Sequence, residues 1–300
     1  MTKKSVWMAL QVLLFLAFNF LFFLTILFLF KKNNVFDKIG LHEPVYNGTE
    51  VFDPSLQRLN SIKKLEDYCD SLYSVQSMNS QFKSDEGNYP VLVDSVMRQR
   101  FYHGYSRYRF SENYMALLLE PLTGKEAAAI VIPDDMLKYP YAACSQQSIL
   151  MMELLKRKGY STRKVGFLDK QYGGHFCFEV LYNGSWHFFD TNQEPDMNVL
   201  NVNNRPGIAF LSKNKEVLRA AYPHLEPERL DAIFGNYFFG KPDTFEAPRA
   251  RIYQQVTKIL SYCGWFFALL AYVLVRKKRT MLMRPERKYA GLFLKAETNG

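Results

Sequence analysis

The sequence predicts an α+β domain, an antiparallel sheet set against a central helix, flanked by two transmembrane helices. Three observations carry this prediction. Two long hydrophobic runs bracket the chain, at 6–30 and 259–275. Strong helix formers run from Cys144 to Gly159, and the body of that stretch, 149–155, is apolar on nearly every side, as a buried helix must be. Two aromatic segments, 175–182 and 185–190, flank Asn183 and Gly184, the pair favoured in two-residue hairpin turns because both residues tolerate positive φ.

With 300 residues and 48% hydrophobic content the chain can bury a sizeable core. Its formal charge of +9 suggests an anionic partner until the charge is located. Residues 276–300 carry +6 and Lys3, Lys4, Lys31 and Lys32 add +4, leaving −1 for residues 33–275. The basicity flanks the apolar runs, so no nucleic acid is expected as a partner. The run 6–30 is broken only by Gln11, Asn19 and Thr25. At about 1.5 Å per residue it outspans a hydrocarbon core of about 30 Å. It ends in Phe30, Lys31 and Lys32 rather than at a small-residue cleavage site, so 1–32 reads as an uncleaved anchor and not as a signal peptide. The run 259–275 is diluted only by Ser261 and Gly264 and is stopped by Arg276, Lys277, Lys278 and Arg279, which predicts a second span at 256–276. Seven basic residues follow it closely, against Arg249, Arg251 and Lys258 before it. That excess assigns the basic tail 277–300 to the cytoplasm, and with two spans the N-terminus as well. The expected setting is therefore a lipid bilayer, with the central domain periplasmic or extracellular. In a eukaryote the sequons at Asn47 and Asn183 would then be open to glycosylation.

Between the spans, 33–52 reads as an extended connector rich in breakers, and 53–255 as the folded domain. Helical spacing of Leu56, Leu59, Ile62, Leu65, Cys69 and Leu72 predicts an amphipathic helix from Pro54 to about Gln76, and another is expected after Pro90. The aromatic and arginine-rich stretch 101–110 suits a core edge or a groove wall. Ser111 is the expected cap of a helix over 112–119. Short helices are expected at 213–221 and 227–234, after loops at 192–195 and 201–207. The glycine-flanked aromatic run 234–240 suits core packing, with a groove lining or a membrane contact as alternatives.

The chemistry concentrates in 139–195. Cys144 stands at the start of the central helix, where free N–H groups and the positive dipole end favour a thiolate nucleophile. If Tyr182 pairs with Ser185 across the hairpin turn, Cys177 lies opposite Asp190, and His175 shares a face with Asp190 as its diagonal neighbour. His187 falls on the other face. His175 can then take the proton of Cys144 and return it to a leaving group, while Asp190 fixes the imidazole tautomer. Of the other cysteines, Cys263 falls in the second span, and Cys69 and Cys177 read as free buried thiols, with a bridge between them as the alternative. No cysteine or histidine spacing suits a zinc site, so neither metal nor cofactor is expected.

These residues resemble the transglutaminase-like superfamily. The match runs over about 50 residues, through Cys144, Leu154 and Leu155, Gly159 and Tyr160, Arg163 to Val165, His175, Glu179 and Val180, Gly184, Trp186, and Asp190 with Thr191. The resemblance implies a papain-like α+β fold and a thiol enzyme acting on amide or acyl bonds through Cys144, His175 and Asp190. A peptidase or amidase would release the acyl group to water, an acyltransferase to an amine. An inactive module serving envelope assembly is the alternative. The chain departs from the family pattern at Ala142 and Ala143, where a glycine often precedes the cysteine, and at Cys177, where a tryptophan often follows the histidine. The N–H of Cys144 is the expected oxyanion donor, with Tyr139, Tyr141 and Gln146 as candidates for the second.

Overall fold

The computed structural model describes residues 3–29, 35–38, 43–48, 50–123, 127–169, 171 and 173–282. Parts of the connector 33–52 and of the basic tail 277–300 lie outside them. In chain order the helices and strands are α1 (Lys3–Leu29), α2 (Ile62–Ser77), α3 (Asn88–Arg100), β1 (Tyr102–His103), α4 (Phe110–Thr123), α5 (Pro133–Met136), β2 (Tyr141–Ala142) and α6 (Cys144–Arg157). They continue as β3 (Ser161–Asp169), β4 (Gly173–Tyr182), β5 (Ser185–Phe189), α7 (Met197–Val202), α8 (Ile208–Leu211), α9 (Lys215–Ala221), α10 (Pro227–Gly235), β6 (Tyr237–Phe239) and α11 (Pro248–Leu282). Two compact units result, one from residues 1–39, 109–119 and 255–300, the other from 40–108 and 120–254.

In the first unit, α1 and the distal part of α11 pair antiparallel. Phe15 meets Tyr272 at 5.7 Å between ring centroids, Phe22 meets Trp265 at 5.4 Å and Phe28 meets Tyr262 at 4.9 Å. Both helices are long and apolar enough to cross a membrane. The second apolar helix is longer than its hydrophobic run, because neither the residues before 259 nor the basic stop after 275 contain a helix breaker. The polar interruptions of α1 find partners. Gln11 accepts from Arg279 Nη1 at 2.8 Å, and Thr25 Oγ1 lies 2.9 Å from both Leu21 O and Tyr114 Oη. Ser111 is not the cap expected of it, since its N–H and hydroxyl both go to the Asp37 carboxylate. α4 is instead kinked at Asn113, whose side-chain oxygen accepts from Ala116 N at 3.2 Å and so restarts the helix.

The second unit holds a four-stranded antiparallel sheet in the order β5-β4-β3-β6 and a short parallel pair, β1 with β2. The expected helix from Pro54 is divided. A 3₁₀ turn over Pro54–Arg58 comes first, and α2 starts afresh after Ser61, whose side chain accepts from Lys64 N. β6 is the strand within the aromatic run 234–240, and it pairs with β3 through Val165 with Phe239 and Phe167 with Tyr237. Gly166 makes that pairing possible, because a Cβ there would sit 2.3 Å from the ring of Phe238. Asn183 and Gly184 take φ values of 48° and 72°, the left-handed geometry of a primed hairpin turn, and Tyr182 pairs with Ser185. One face of the sheet, with Val165, Phe167, Cys177 and Phe188, packs on apolar residues of α7 to α10 such as Leu211, Leu218 and Phe234. α6 packs against β3 and β4, with Leu150, Met151, Leu154 and Leu155 fully buried and Ser148 Oγ donating to Phe176 O.

Candidate active site

α6 delivers Cys144 because Ala143 is held in extended conformation as its cap residue and Gln146 clamps the turn. Gln146 Oε1 accepts from Ala143 N and Ser106 N, while its Nε2 donates to Ser106 O and Ile130 O. All the hydrogen-bonding capacity of that amide is used inside the protein, which removes its side chain from the candidate oxyanion donors. Gln146 N and Gln147 N both meet Ala143 O at 2.9 Å, so the N–H groups of Cys144 and Ser145 are the ones that precede the helical ladder. Cys144 is partly exposed there.

His175 stands on β4 opposite Phe167, whose ring stacks on the imidazole. Its Nε2 lies 2.8 Å from Asp190 Oδ2 and 3.0 Å from Cys177 Sγ. Cys144, at the start of α6, is near enough to this imidazole to favour its charged form. With Nε2 occupied by two partners, Nδ1 is the nitrogen left for the nucleophile. His175 and Asp190 are thus joined with Cys177 in one cluster, and Cys144 stands at the start of α6, which packs on β4. His187, paired with Val180, faces the other way and sits between the carbonyls of Arg205 and Tyr182.

Asp190 follows the last residue of β5, and the loop beyond it folds back on the carboxylate. Oδ1 accepts from Asn192 N at 3.3 Å and Gln193 N at 3.1 Å, and Oδ2 accepts from Tyr222 Oη at 3.0 Å as well as from His175. Every lone-pair position of the carboxylate has a donor. Burial alone would raise its pKa, but the His175 charge and these donors outweigh burial and hold it at about 2. For His175, burial opposes the charged form, yet the Asp190 carboxylate and its hydrogen bond prevail and hold the imidazole well above its usual value. The permanent carboxylate also fixes the orientation of the ring.

Three contributors to this cluster carry no sequence motif. Cys177 is fully buried, and its place on the face of His175 was the one available signal. Tyr222, at the end of α9, reaches Asp190 from 32 residues away. Arg98, on α3, ties down the acid's loop by donating to Asp190 O at 3.2 Å and Pro195 O at 3.0 Å. Among the described residues Cys69 and Cys177 are both free and buried, and burial pushes the Cys69 thiol up to about 12. A cleft of about 750 Å³, lined in part by Glu50, His103, Asn192, Glu194, His224 and Arg229, lies along the loop that follows Asp190, and none of Cys144, His175 and Asp190 lines it. His103 pairs with Ala142, two residues before Cys144, and its Nδ1 lies 3.0 Å from Asn192 Oδ1, two residues after Asp190. Tyr222→Phe removes one donor from Asp190 and leaves the packing intact. It is expected to slow reaction at Cys144 by about 5-fold, the equivalent of about 1 kcal/mol, as read from alkylation rates of variant and wild type at equal folded fraction.

No family model matches the chain, and no curated protein does. Among solved structures it is similar to one described as "Crystal structure of a TGase", at 13% identity and a TM-score of 0.30, over 46% of this chain and 31% of that one. So loose a superposition carries no argument about chemistry, and the chain spans less than a third of that structure's length.

Proposed function

We propose that the chain is a membrane-tethered thiol enzyme that attacks amide or other acyl bonds through Cys144. One observation carries this reading. A single imidazole is held by a buried carboxylate at 2.8 Å, with a partly exposed cysteine near it at the start of a helix. In the reaction Cys144 Sγ attacks the acyl carbon with its proton held on His175. The oxyanion develops against the N–H groups of the first turn, and the proton then passes to the leaving amine or alcohol. The resulting thioester is cleaved by water in a hydrolase or by an amine in an acyltransferase. Asp190 touches no reacting atom and acts through His175.

The antiparallel pairing of α1 with α11, which brings Gln11 to Arg279, supports two crossings with both termini on one side. The Lys and Arg excess after residue 275 supports the cytoplasm as that side and an external central domain. Substrates are then envelope or extracellular molecules.

The test is alkylation by a charged, membrane-impermeant iodoacetyl reagent, with occupancy at each cysteine read by mass spectrometry. In right-side-out vesicles holding the full chain, Cys144 is expected to react at least about tenfold faster than glutathione near pH 6, and His175→Ala to remove the difference. Inside-out vesicles should protect it. A rate no faster than glutathione, in detergent as well as in vesicles, would end the enzymatic reading, whereas fast labelling from the cytoplasmic side would reverse only the topology.

A further inference from the structure

Cys177 is not needed for the chemistry proposed above, yet its thiol touches the imidazole nitrogen that Asp190 holds. His175 Nε2, Cys177 Sγ and Asp190 Oδ2 all lie within 4.8 Å of one another. Nitrogen, thiolate and carboxylate are the donors that zinc takes in proteins. We propose that His175, Cys177 and Asp190 form a binding site for a thiophilic divalent cation of the zinc class, and that its occupation switches the thiol reaction off. The switching half rests on Cys144 and His175 acting as nucleophile and base; the binding half does not.

Geometry and charge both favour the ion. Bonds of about 2.0–2.3 Å in a tetrahedral shell set donors roughly 3.3–3.8 Å apart. The pairs at 2.8 Å and 3.0 Å therefore need to open by only about half an ångström. Side-chain exposure is 8% at His175 and 1% at Asp190, and Cys177 is fully enclosed, so an uncompensated charge would be costly there. When the ion enters, Cys177 Sγ loses its proton and His175 Nε2 is freed of its own. Zinc with one thiolate and one carboxylate is neutral, so the occupied pocket carries no net charge. The metal-bound imidazole keeps its proton on Nδ1, the nitrogen left for Cys144, and so cannot accept the thiol proton.

The experiment uses the full chain in detergent, stripped of metal and titrated with zinc alone, then with cobalt as a spectroscopic probe. One zinc per chain is expected, with at least about one proton released per ion as Cys177 ionises, read by calorimetry in buffers of different ionisation enthalpy. A thiolate-to-cobalt charge-transfer band should appear in the wild type and persist in Cys144→Ser combined with Cys69→Ser and Cys263→Ser. Cys177→Ser, which keeps the size of the side chain, should lose the band and weaken zinc binding at least about tenfold. Absence of stoichiometric zinc, unchanged affinity in Cys177→Ser at an unchanged melting temperature, or loss of the band in the triple variant would each overturn the site. The triple variant also covers a Cys177→Ser protein that does not fold. Fast alkylation of Cys144 with no zinc binding refutes the metal site alone, while zinc binding with a slow Cys144 refutes the enzyme and the switching half together.

Discussion

Asp190→Asn is expected to lower turnover through Cys144 by about 10²- to 10⁴-fold while the chain stays folded, the range associated with losing the group that orients a catalytic imidazole. Asparagine keeps the shape and an oxygen for the N–H groups of Asn192 and Gln193. It turns an amide NH₂ towards His175 and Tyr222, where the carboxylate had accepted from both. An imidazole facing a donor must accept on Nε2, so its proton moves to Nδ1 and its basicity towards Cys144 is lost. Stability should change with pH in a defined direction. The His175 pKa is raised from 6.5, so its contribution is complete below about pH 6.5 and lost as pH rises through the folded value. Asp190 is lowered from 3.8 to about 2, so its contribution is present above pH 3.8 and lost as pH falls through about 2. These are two views of one interaction, at full strength between about pH 4 and 6.5. The wild-type melting temperature should therefore fall more steeply than that of Asp190→Asn between pH 6.5 and 9. Parallel slopes in the two melting curves would show that the pair does not hold a charge.

How much of this was legible in the chain depended on how local each cause is. The hairpin was readable because Asn183 and Gly184 set its turn, and the turn sets which residues of β4 and β5 share a face. The side-chain meeting of His175 with Asp190 follows from that register and the short reach of both groups. α6 was readable from helix formers ending at Gly159, which takes φ +85° after the last turn. Long-range contacts were not readable. Tyr222, Arg98 and Gln146 act through hydrogen bonds that no periodicity encodes. Ser111 looked like a cap until Asp37 took both of its polar groups, leaving the role to Asn113. β6 was hidden because three aromatic residues in a row suit several settings. Gly166, which has no side chain, leaves the place that the Phe238 ring fills when they pair as a strand.

The largest expected loss of stability outside the catalytic cluster is at Glu179, two residues along β4 from Cys177. Its carboxylate is 1% exposed and joins three elements. Oε2 accepts from Arg163 Nε at 2.7 Å and pairs with Nη2 at 2.6 Å, and Oε1 accepts from Ile208 N at 2.7 Å at the start of α8. The Arg163 guanidinium lies over the rings of Trp186 at 4.2 Å and Phe239 at 3.8 Å, so the pair links all four strands of the sheet. Glu179→Ala removes the counter-charge and orphans the buried N–H of Ile208, which should cost about 3–5 kcal/mol. Glu179→Gln keeps an acceptor for Ile208 but turns an NH₂ towards the arginine, so an intermediate loss of about 1–2 kcal/mol is expected. The order wild type, Gln, Ala is to be measured by denaturant unfolding of the full chain in detergent, with Tyr222→Phe as a variant of the same core. Because Ile208 begins the helices that pack against Cys177, the alanine variant should also lose fast alkylation of Cys144 before it loses helical signal on heating. Equal stability of the Gln and Ala variants would show that Arg163 and Ile208 find other partners and that the sheet does not depend on this carboxylate.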